Sequence, residues 1–430
     1  MLIHEQISGV LEQYDHTAGA WSTAVTLSDH NVISASCRRQ VCADGAFAIG
    51  GVFSATLSLV CRLPGMTTFQ VRGARIRLYS QYDGEPVPQA IGIFYVTAAS
   101  RVGEIFTIDG QDAIGWLDSS AYNCQDYDLV GGLEKYLLRE FPDGHNIQAW
   151  LERITPEVAK IAYWQTGIPQ LVTWEHYHPE RNQDVDYCNA DYAYWLYGDN
   201  GIADTDTPRD FYRWLSELAC GFIYSKPDSG NLSLGQFGQP EYGTAQIRME
   251  DIEVDSCDIA DYTIHVQRAT LVSQLADGRV IKGDAWITVD HSGHIAIRHQ
   301  IASNPFLDGH ASATAATDMN QMAINLRAAT EAYCGGCTVR PFQCRVHQTA
   351  RFHPGQRVRI TWKHYGEASA EVYDSILTGM QWEFRGGWQL WCGGEDSRVM
   401  ADCMKATKGD KALKEARNRC AAIEKQIGGG

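Results

Sequence analysis

Long apolar runs are missing from this sequence of 430 residues. Every apolar run is far shorter than the roughly 18 residues that a helix needs to cross a bilayer, so we expect no membrane insertion. The first nine residues contain neither a basic segment nor an apolar core, so we expect no secretory signal. Proline is scarce, with 13 residues, and the 40 glycines follow no three-residue period. A collagen-like chain is therefore excluded.

Positive charge is also in short supply. Lysine and arginine number 36 against 52 aspartates and glutamates, which gives a formal charge of −16. This balance argues against a strong nucleic-acid-binding surface. The 13 cysteines are odd in number and widely spread, which favours buried reduced thiols over a disulfide framework and assembly in a reducing cytoplasm. The apolar fraction of 44% is typical of a soluble globular chain, and the length predicts about two to four domains.

Common catalytic motifs are missing as well. The sequence contains no Gly-x-Ser-x-Gly elbow, no phosphate-binding lysine loop, and no Gly-x-Gly-x-x-Gly after a strand. We therefore predict no catalytic residue and no enzymatic activity. A hydrolase of cell-wall glycan or peptide stays open as an alternative, because the paired carboxylates of such enzymes are not neighbours in sequence.

One group of sulfur and imidazole side chains has the composition of a tetrahedral zinc site: Cys334, Cys337, Cys344 and His347. The more economical interpretation is a helix that ends at the glycines between Cys334 and Cys337. Cys344 and His347 are three residues apart in a β-prone stretch, so their side chains are expected on opposite faces. We predict no metal and no cofactor, and keep a zinc-bound interaction module as an alternative.

Alternating polar and apolar residues predict β-structure in residues 1–118. Arg75 and Arg77 alternate with Ile76 and Leu78, which is the pattern of a half-buried strand. The strands predicted in this part are 55–60, 74–79, 91–97 and 105–110. Strands at this spacing are typical of a small antiparallel barrel or sandwich.

The rest of the chain mixes helices and strands. Thr207 and Pro208 have the residue types of a helix cap and first turn, and Gly221 is suited to end that helix. Helices are predicted at 130–141, 208–220 and 313–333, and a hairpin at 222–234. Strands are predicted at 262–266, 286–289, 295–298, 357–362, 376–384 and 388–392.

The C-terminal segment is basic and amphipathic. From residue 405 onward, the segment contains seven lysines or arginines and three acidic residues. Its apolar residues recur at spacings of three and four: Leu413, Ala416, Cys420, Ile423 and Ile427. Two heptads are too short for a stable isolated helix, so we predict that this stripe is an assembly interface.

The order of several segments resembles that of bacteriophage tail hub proteins, the family of phage tails, baseplates and contractile injection systems. Residues 74–79, 91–97 and 106–118 resemble the N-terminal domain of that family, and residues 207–222 resemble its central helix. Three further segments are similar in the same order: an Asn-Pro step at 303–307, a Pro-Gly strand at 352–360 and a closing hairpin at 386–391. Gln356 replaces the family's usual acidic residue, and the aromatic-rich stretch 163–200 has no counterpart.

The resemblance implies an α+β, mainly β fold. It has two antiparallel barrel-like domains with helical and hairpin insertions and a C-terminal amphipathic helix. The predicted divisions are a first barrel-like domain at 1–118, an α+β domain at 119–245, a second barrel-like domain at 246–310, a helix with closing strands at 311–400, and the basic helix at 401–430.

The resemblance also implies a structural role in the virion tail, after assembly in the bacterial cytoplasm. Hubs of this family are homotrimers that form a pseudo-six-fold ring. The ring joins a hexameric tail tube or distal tail protein to a trimeric spike protein, and DNA passes through its lumen as transient cargo. A contact with the tape-measure protein is a further expectation for the C-terminal segment.

Overall fold

The computed structural model describes residues 4–15, 20–42, 47–118, 209–210, 213, 216–217, 221–230, 232–238, 242–253, 256–274, 280–286, 294–302, 339–347, 350–363 and 369–393. The helices predicted at 130–141 and 313–333 lie outside these residues. So does the C-terminal segment at 401–430. None of the described helices is both long and apolar enough to span a bilayer.

The largest element is an eleven-stranded sheet in which every neighbouring pair is antiparallel. In spatial order its strands are β12 (Asp258–Ile259), β16 (Phe342–Val346), β20 (Gly387–Cys392), β19 (Gly379–Glu383), β3 (Val32–Gln40), β5 (Thr56–Arg62), β8 (Ile105–Gln111), β7 (Gln89–Val102), β6 (Ala74–Tyr82), β1 (Glu5–Asp15) and β2 (Ala20–Ser28).

Three smaller sheets of three strands each accompany it. The first joins β10 (Leu232–Gln236), β9 (Gly221–Ser225) and β4 (Gly51–Val52); the second joins β11 (Thr244–Ile247), β17 (Arg357–Trp362) and β18 (Glu371–Ile376); the third joins β14 (Val280–Trp286), β13 (Thr263–Gln274) and β15 (His294–Ala302). Each contains one parallel and one antiparallel pair.

Helical structure is sparse in the described residues. Helix α1 spans Thr68–Arg72, and Thr67 and Gln70 form a capping box at its start. Two 3₁₀ turns cover Ala113–Asp118 and Met249–Asp251. Residues 209, 210, 213, 216 and 217 are helical, in agreement with the helix predicted at 208–220.

The alternation in the sequence explains the strands of the first 118 residues. In β6 the even-numbered Ile76 and Leu78 are fully buried, whereas Arg75 and Arg77 are partly exposed. Each buried aliphatic side chain of this kind stabilises the fold by about 1.5–3 kcal/mol. The strands predicted at 55–60, 91–97 and 105–110 are confirmed as parts of β5, β7 and β8.

Two strand predictions have wrong boundaries. The strand predicted at 286–289 begins earlier, at Val280, because its pairing with β13 starts there; residues 287–289 lie outside the described part of the chain. The strand predicted at 376–384 is two strands, since β18 pairs with β17 whereas β19 pairs with β20 and β3. Leu377 and Thr378 join them and donate backbone hydrogen bonds to Gln356 and Trp391.

The eleven-stranded sheet connects two distant parts of the chain. Its β19 pairs with β3, so strands from the predicted first and fourth segments share one hydrogen-bonded sheet. Among the described strands, β12 and β2 are unjoined ends, so the mainly β, antiparallel character is seen but closure into barrels is not. The two barrel-like domains and the domain boundaries stay predictions.

Candidate assembly surface

The two ends of the large sheet differ in length. At one end, β12 has only two residues. At the other end, β2 has nine residues, and none of them is charged or a proline. It pairs with β1 on one side, and no described strand pairs with its other side. An edge strand without charge, proline or cover is a template for pairing with another chain.

The side chains of β2 are largely accessible. Five of its nine residues are exposed, and Leu27 alone is fully buried. Ala24 has no partner in β1, because the register shifts between Leu11 and Glu12. The strand is therefore anchored at Leu27 and leaves residues 22–24 open to solvent.

An aromatic cluster lies beside this edge. The ring of Trp21 contacts Tyr14 at 5.3 Å and Tyr95 at 6.0 Å between centroids, both in edge-on geometry. The guanidinium of Arg75 lies 4.5 Å from the centre of the Trp21 ring. Partly exposed aromatic and arginine side chains of this kind are enriched in protein interfaces.

A buried carboxylate holds the arginines of this surface. Glu12 Oε2 accepts hydrogen bonds from Arg75 Nε at 2.5 Å and from Arg77 Nε at 3.0 Å. One carboxylate thus faces two guanidinium groups and leaves a net positive charge. We call Glu12, Arg75, Arg77 and Trp21 the edge cluster. Its positive charge stands out in a chain of net charge −16.

A second buried carboxylate lies at the other end of β1. Glu5 is 3% exposed and accepts hydrogen bonds from Trp382 Nε1 at 2.8 Å and from the Arg385 backbone N–H at 2.6 Å. The hydroxyl of Ser80 donates to the same carboxylate. These bonds attach β19 and its following turn to the first strand of the chain.

An arginine on the C-terminal side strengthens this attachment. Arg351 binds Glu85 through two parallel hydrogen bonds of 2.8 and 2.6 Å and also donates to the Ser80 carbonyl at 2.9 Å. Its guanidinium lies 4.1 Å from the centre of the Tyr82 ring. Burial alone would raise the pKa of Glu85, but hydrogen bonds from Arg351 and the Tyr82 backbone and the charge of Arg351 lower it.

The structure describes two of the four residues of the zinc alternative, Cys344 and His347. Cys344 is fully buried on β16, and burial raises the pKa of its thiol. His347 Nε2 instead lies 3.5 Å from a carboxylate oxygen of Glu253. No group of three metal-ligating side chains occurs within the described part of the chain. Cys334 and Cys337 lie outside it.

The five apolar residues predicted as an assembly interface also lie outside the described residues: Leu413, Ala416, Cys420, Ile423 and Ile427. Sequence reasoning missed the β2 edge. The signal was present, because residues 20–28 are rich in small and β-branched residues and contain no charge.

No protein-family model and no curated protein matches this chain. Solved structures similar to it include a tail protein from Neisseria meningitidis MC58, at 10% identity and a TM-score of 0.40, covering 91% of this chain and 98% of that one. A 43 kDa tail protein of prophage MuSo2 from Shewanella oneidensis is similar at 11% identity and a TM-score of 0.40, covering 91% and 99%. A chain of the p2 virion baseplate is similar at 8% identity and a TM-score of 0.26, covering 90% and 98%. All three of these similar structures are of tail or baseplate proteins.

Proposed function

We propose that this protein is a structural hub subunit of a phage tail or baseplate, located in the virion tail. Three copies form a pseudo-six-fold ring between the tail tube and the spike. The observation that supports this proposal most directly is the nine-residue, uncharged edge strand β2, whose outer side pairs with no described strand. Backbone groups on the outer side of such a strand suit pairing between subunits rather than catalysis.

The side chains beside the edge support the same role. The edge cluster presents an aromatic ring and two arginines around one carboxylate, and it offers a cationic contact to an otherwise acidic second copy. Complementary charge of this kind orients two subunits before their strands pair.

The ring geometry in this proposal comes from the resemblance of the segment order to that of tail hub proteins. The neighbours are then a tail tube or distal tail protein on one side and a spike protein on the other. DNA crosses the lumen as transient cargo, and a chain of net charge −16 is suited to a channel that does not retain it. The role requires no catalytic residue and no cofactor.

The C-terminal stripe has its own part in the proposal. Leu413, Ala416, Cys420, Ile423 and Ile427 form a contact with the tape-measure protein, the spike or a neighbouring copy. Deletion of residues 405–430 is expected to stop particle assembly. Normal particles from the deleted chain would contradict this contact.

Native mass spectrometry of the full chain tests the ring. We expect a species near three times 47.8 kDa. In the variant Thr23→Lys, a charge in the open edge is expected to yield monomers. The matched control is Ser58→Lys, which adds the same charge at an exposed position of β5, a strand paired on both sides. It is expected to stay trimeric.

Two results would contradict the proposal. A wild-type chain that is monomeric at micromolar concentration would contradict a self-assembling ring. A trimer that persists in Thr23→Lys would contradict assembly through β2. Activity on purified peptidoglycan would instead favour the hydrolase alternative.

A further inference from the structure

Two cysteines face each other where the end strand β12 pairs with β16. The register of these antiparallel strands places Ile259 opposite Phe342. Counting back from Ile259 and forward from Phe342 by the same two residues places Cys257 opposite Cys344. Alternate residues of a strand lie on one face of a sheet, and Ile259 and Phe342 are both buried. The two cysteines therefore lie on the core face, where Cys344 is fully buried and Cys257 is half-buried against the core.

Hydrogen bonds on both sides of the two cysteines hold this register. On one side, the Ala260 N–H donates to the Pro341 carbonyl at 3.0 Å. On the other side, the Arg345 N–H donates to the Ser256 hydroxyl at 2.9 Å, and that hydroxyl lies 3.3 Å from the Arg345 carbonyl oxygen. Residue 256 therefore lies opposite residue 345, and the cysteines keep facing positions although β12 itself ends beside them.

The backbone spacing at this position suits a disulfide. Hydrogen-bonded and non-hydrogen-bonded pairs alternate along antiparallel strands. The bond from Ala260 to Pro341 makes theirs a hydrogen-bonded pair, and Cys257 and Cys344 are an odd number of positions away. Their pair is therefore of the non-hydrogen-bonded type, in which Cα atoms lie about 4.5 Å apart. Disulfides bridge Cα atoms that are roughly 4.4–6.8 Å apart.

The other cysteines in the described ranges have no facing cysteine; they are Cys37, Cys42, Cys61 and Cys392. Cys37 and Cys61 are paired with other residue types on both neighbouring strands. Cys392 ends β20 and Cys42 follows β3, with β19 and the residues before it between them. Two strand spacings amount to about 9.5 Å, which is too far for a disulfide.

We propose that Cys257 and Cys344 form a disulfide when the protein meets an oxidant, and that this bond ties the end strand β12 to β16. The oxidant is a small disulfide such as glutathione disulfide. The bond forms between two side chains that the fold already holds face to face, so it requires no rearrangement of the sheet. This inference does not depend on the proposed function.

The reaction is two thiol–disulfide exchanges. The thiolate of the half-buried Cys257 attacks one sulfur of glutathione disulfide, forms a mixed disulfide and releases one glutathione thiolate. The Cys344 thiolate then attacks the Cys257 sulfur and releases the second glutathione thiolate. Two electrons pass from the cysteines to glutathione disulfide, and the two protons that the cysteines lose are taken up by the two glutathione thiolates.

The surroundings of the two thiols make this reaction slow near pH 7. Burial and the charge of Asp258 raise the pKa of the Cys257 thiol to about 12. Burial and the charge of Cys257 raise the pKa of the Cys344 thiol as well. Because the thiolate is the attacking species, the bond is expected to form faster as the pH rises.

Mass spectrometry of a non-reduced chymotryptic digest tests the bond in the full chain. The native chain is incubated with glutathione disulfide at about pH 8.5, where the thiolates are more abundant, and the remaining thiols are then blocked with iodoacetamide. Cleavage after aromatic residues gives the peptides 243–262 and 343–352, which contain Cys257 and Cys344 as their single cysteines. We expect the link between these two peptides to exceed any other link of 243–262 by about tenfold or more.

Two variants control the assignment. Cys257→Ser is expected to abolish the link to peptide 343–352. The matched control is Cys42→Ser, which replaces a buried thiol that faces no cysteine and keeps a donor for the Ala48 carbonyl. It is expected to form the link to the same extent as the wild type.

Two outcomes would overturn the inference: no link between the two peptides in the oxidised native chain, or links of Cys257 to other cysteines as frequent as its link to Cys344. Both outcomes are read in the wild-type chain, so they decide the question even if a variant fails to fold. A failure here would leave the native mass spectrum of the reduced wild-type chain unaffected, so the two proposals fail separately.

Discussion

The two ends of the large sheet are held in different ways. The end formed by β19, β20, β16 and β12 is attached to the rest of the protein through the pairing of β19 with β3 and through the buried hydrogen bonds that Glu5 accepts from Trp382 and Arg385. The end formed by β1 and β2 has the edge cluster on its surface, and no described strand lies beyond it. Within the described residues, the two ends thus differ in how their strands contact the rest of the protein.

One strand contributes to both ends. Glu5 and Glu12 both belong to β1, and their odd separation places them on opposite faces of the sheet. Glu5 is directed to the interior, where it binds Trp382 and the Arg385 backbone. Glu12 gathers Arg75 and Arg77 near the surface. Glutamate therefore links β1 to β19 inside the protein at position 5 and organises surface arginines at position 12.

The largest expected effect on stability comes from removing the buried Glu5 carboxylate. Glu5→Ala leaves the Trp382 indole N–H and the Arg385 backbone N–H without their acceptor in a buried site. We expect the free energy of unfolding to fall by about 3 kcal/mol or more, measured by urea denaturation. The control Glu104→Ala removes an exposed pair with Arg62 and is expected to cost less than about 1 kcal/mol. Equal losses would contradict the role given to Glu5.

The second effect is a pH dependence of stability that comes from His353. Because of burial and the nearby charge of Arg39, His353 has a pKa of about 4 in the folded protein against 6.5 when unfolded, so the unfolded state takes up its proton first as the pH falls. The stability that the neutral ring of His353 gives the folded state is fully present above pH 6.5. It is lost as the pH falls from 6.5 to about 4, and it amounts to about 3 kcal/mol of unfolding free energy. Urea denaturation across this pH range should show that the free energy of unfolding declines less steeply with falling pH in His353→Gln than in the wild type. Parallel curves for the two proteins would contradict the prediction.

A smaller effect is expected at the open end. Glu12→Gln keeps the size of the side chain but removes the charge that Arg75 and Arg77 share. Because Arg77 is about one third exposed, solvent screens part of the loss, and we expect a decrease of about 1 kcal/mol in unfolding free energy. The comparison with Glu5→Gln under identical conditions sharpens the contrast. A larger loss of unfolding free energy in Glu12→Gln than in Glu5→Gln would contradict the contrast between the two glutamates.

The smallest effect on stability is expected from the edge variant. Thr23 is exposed on β2, so Thr23→Lys should change the unfolding free energy by no more than about 0.5 kcal/mol. Hydrogen exchange of residues 20–28 in the monomeric variant should be as fast as in dissociated wild type. A large loss of stability would show that Thr23 supports the fold of the subunit itself.

The sequence predicted part of this fold for clear physical reasons. The clean alternation in residues 74–79 and 357–362 marked β6 and β17, because each has one buried and one exposed face. Strand β1 escaped prediction since its buried positions include Glu5 and Gly9 as well as Ile7 and Leu11. Acidic side chains are buried here only because partners from distant strands satisfy them.

The sheet order and the facing cysteines lay beyond sequence reasoning. The pairing of β19 with β3 joins residues from opposite ends of the chain, and no local pattern encodes it. The facing positions of Cys257 and Cys344 depend on a pairing of the same kind, because β12 and β16 are distant in the chain. The open edge was within reach of sequence reasoning, since the absence of charge in residues 20–28 is visible in the sequence itself.

Electron cryomicroscopy of the assembled full chain tests the central claim most directly. The account predicts three copies in a closed ring, with β2 of each copy hydrogen-bonded to a strand of its neighbour. A ring in which β2 faces solvent, or an assembly that does not contain three copies, would contradict it.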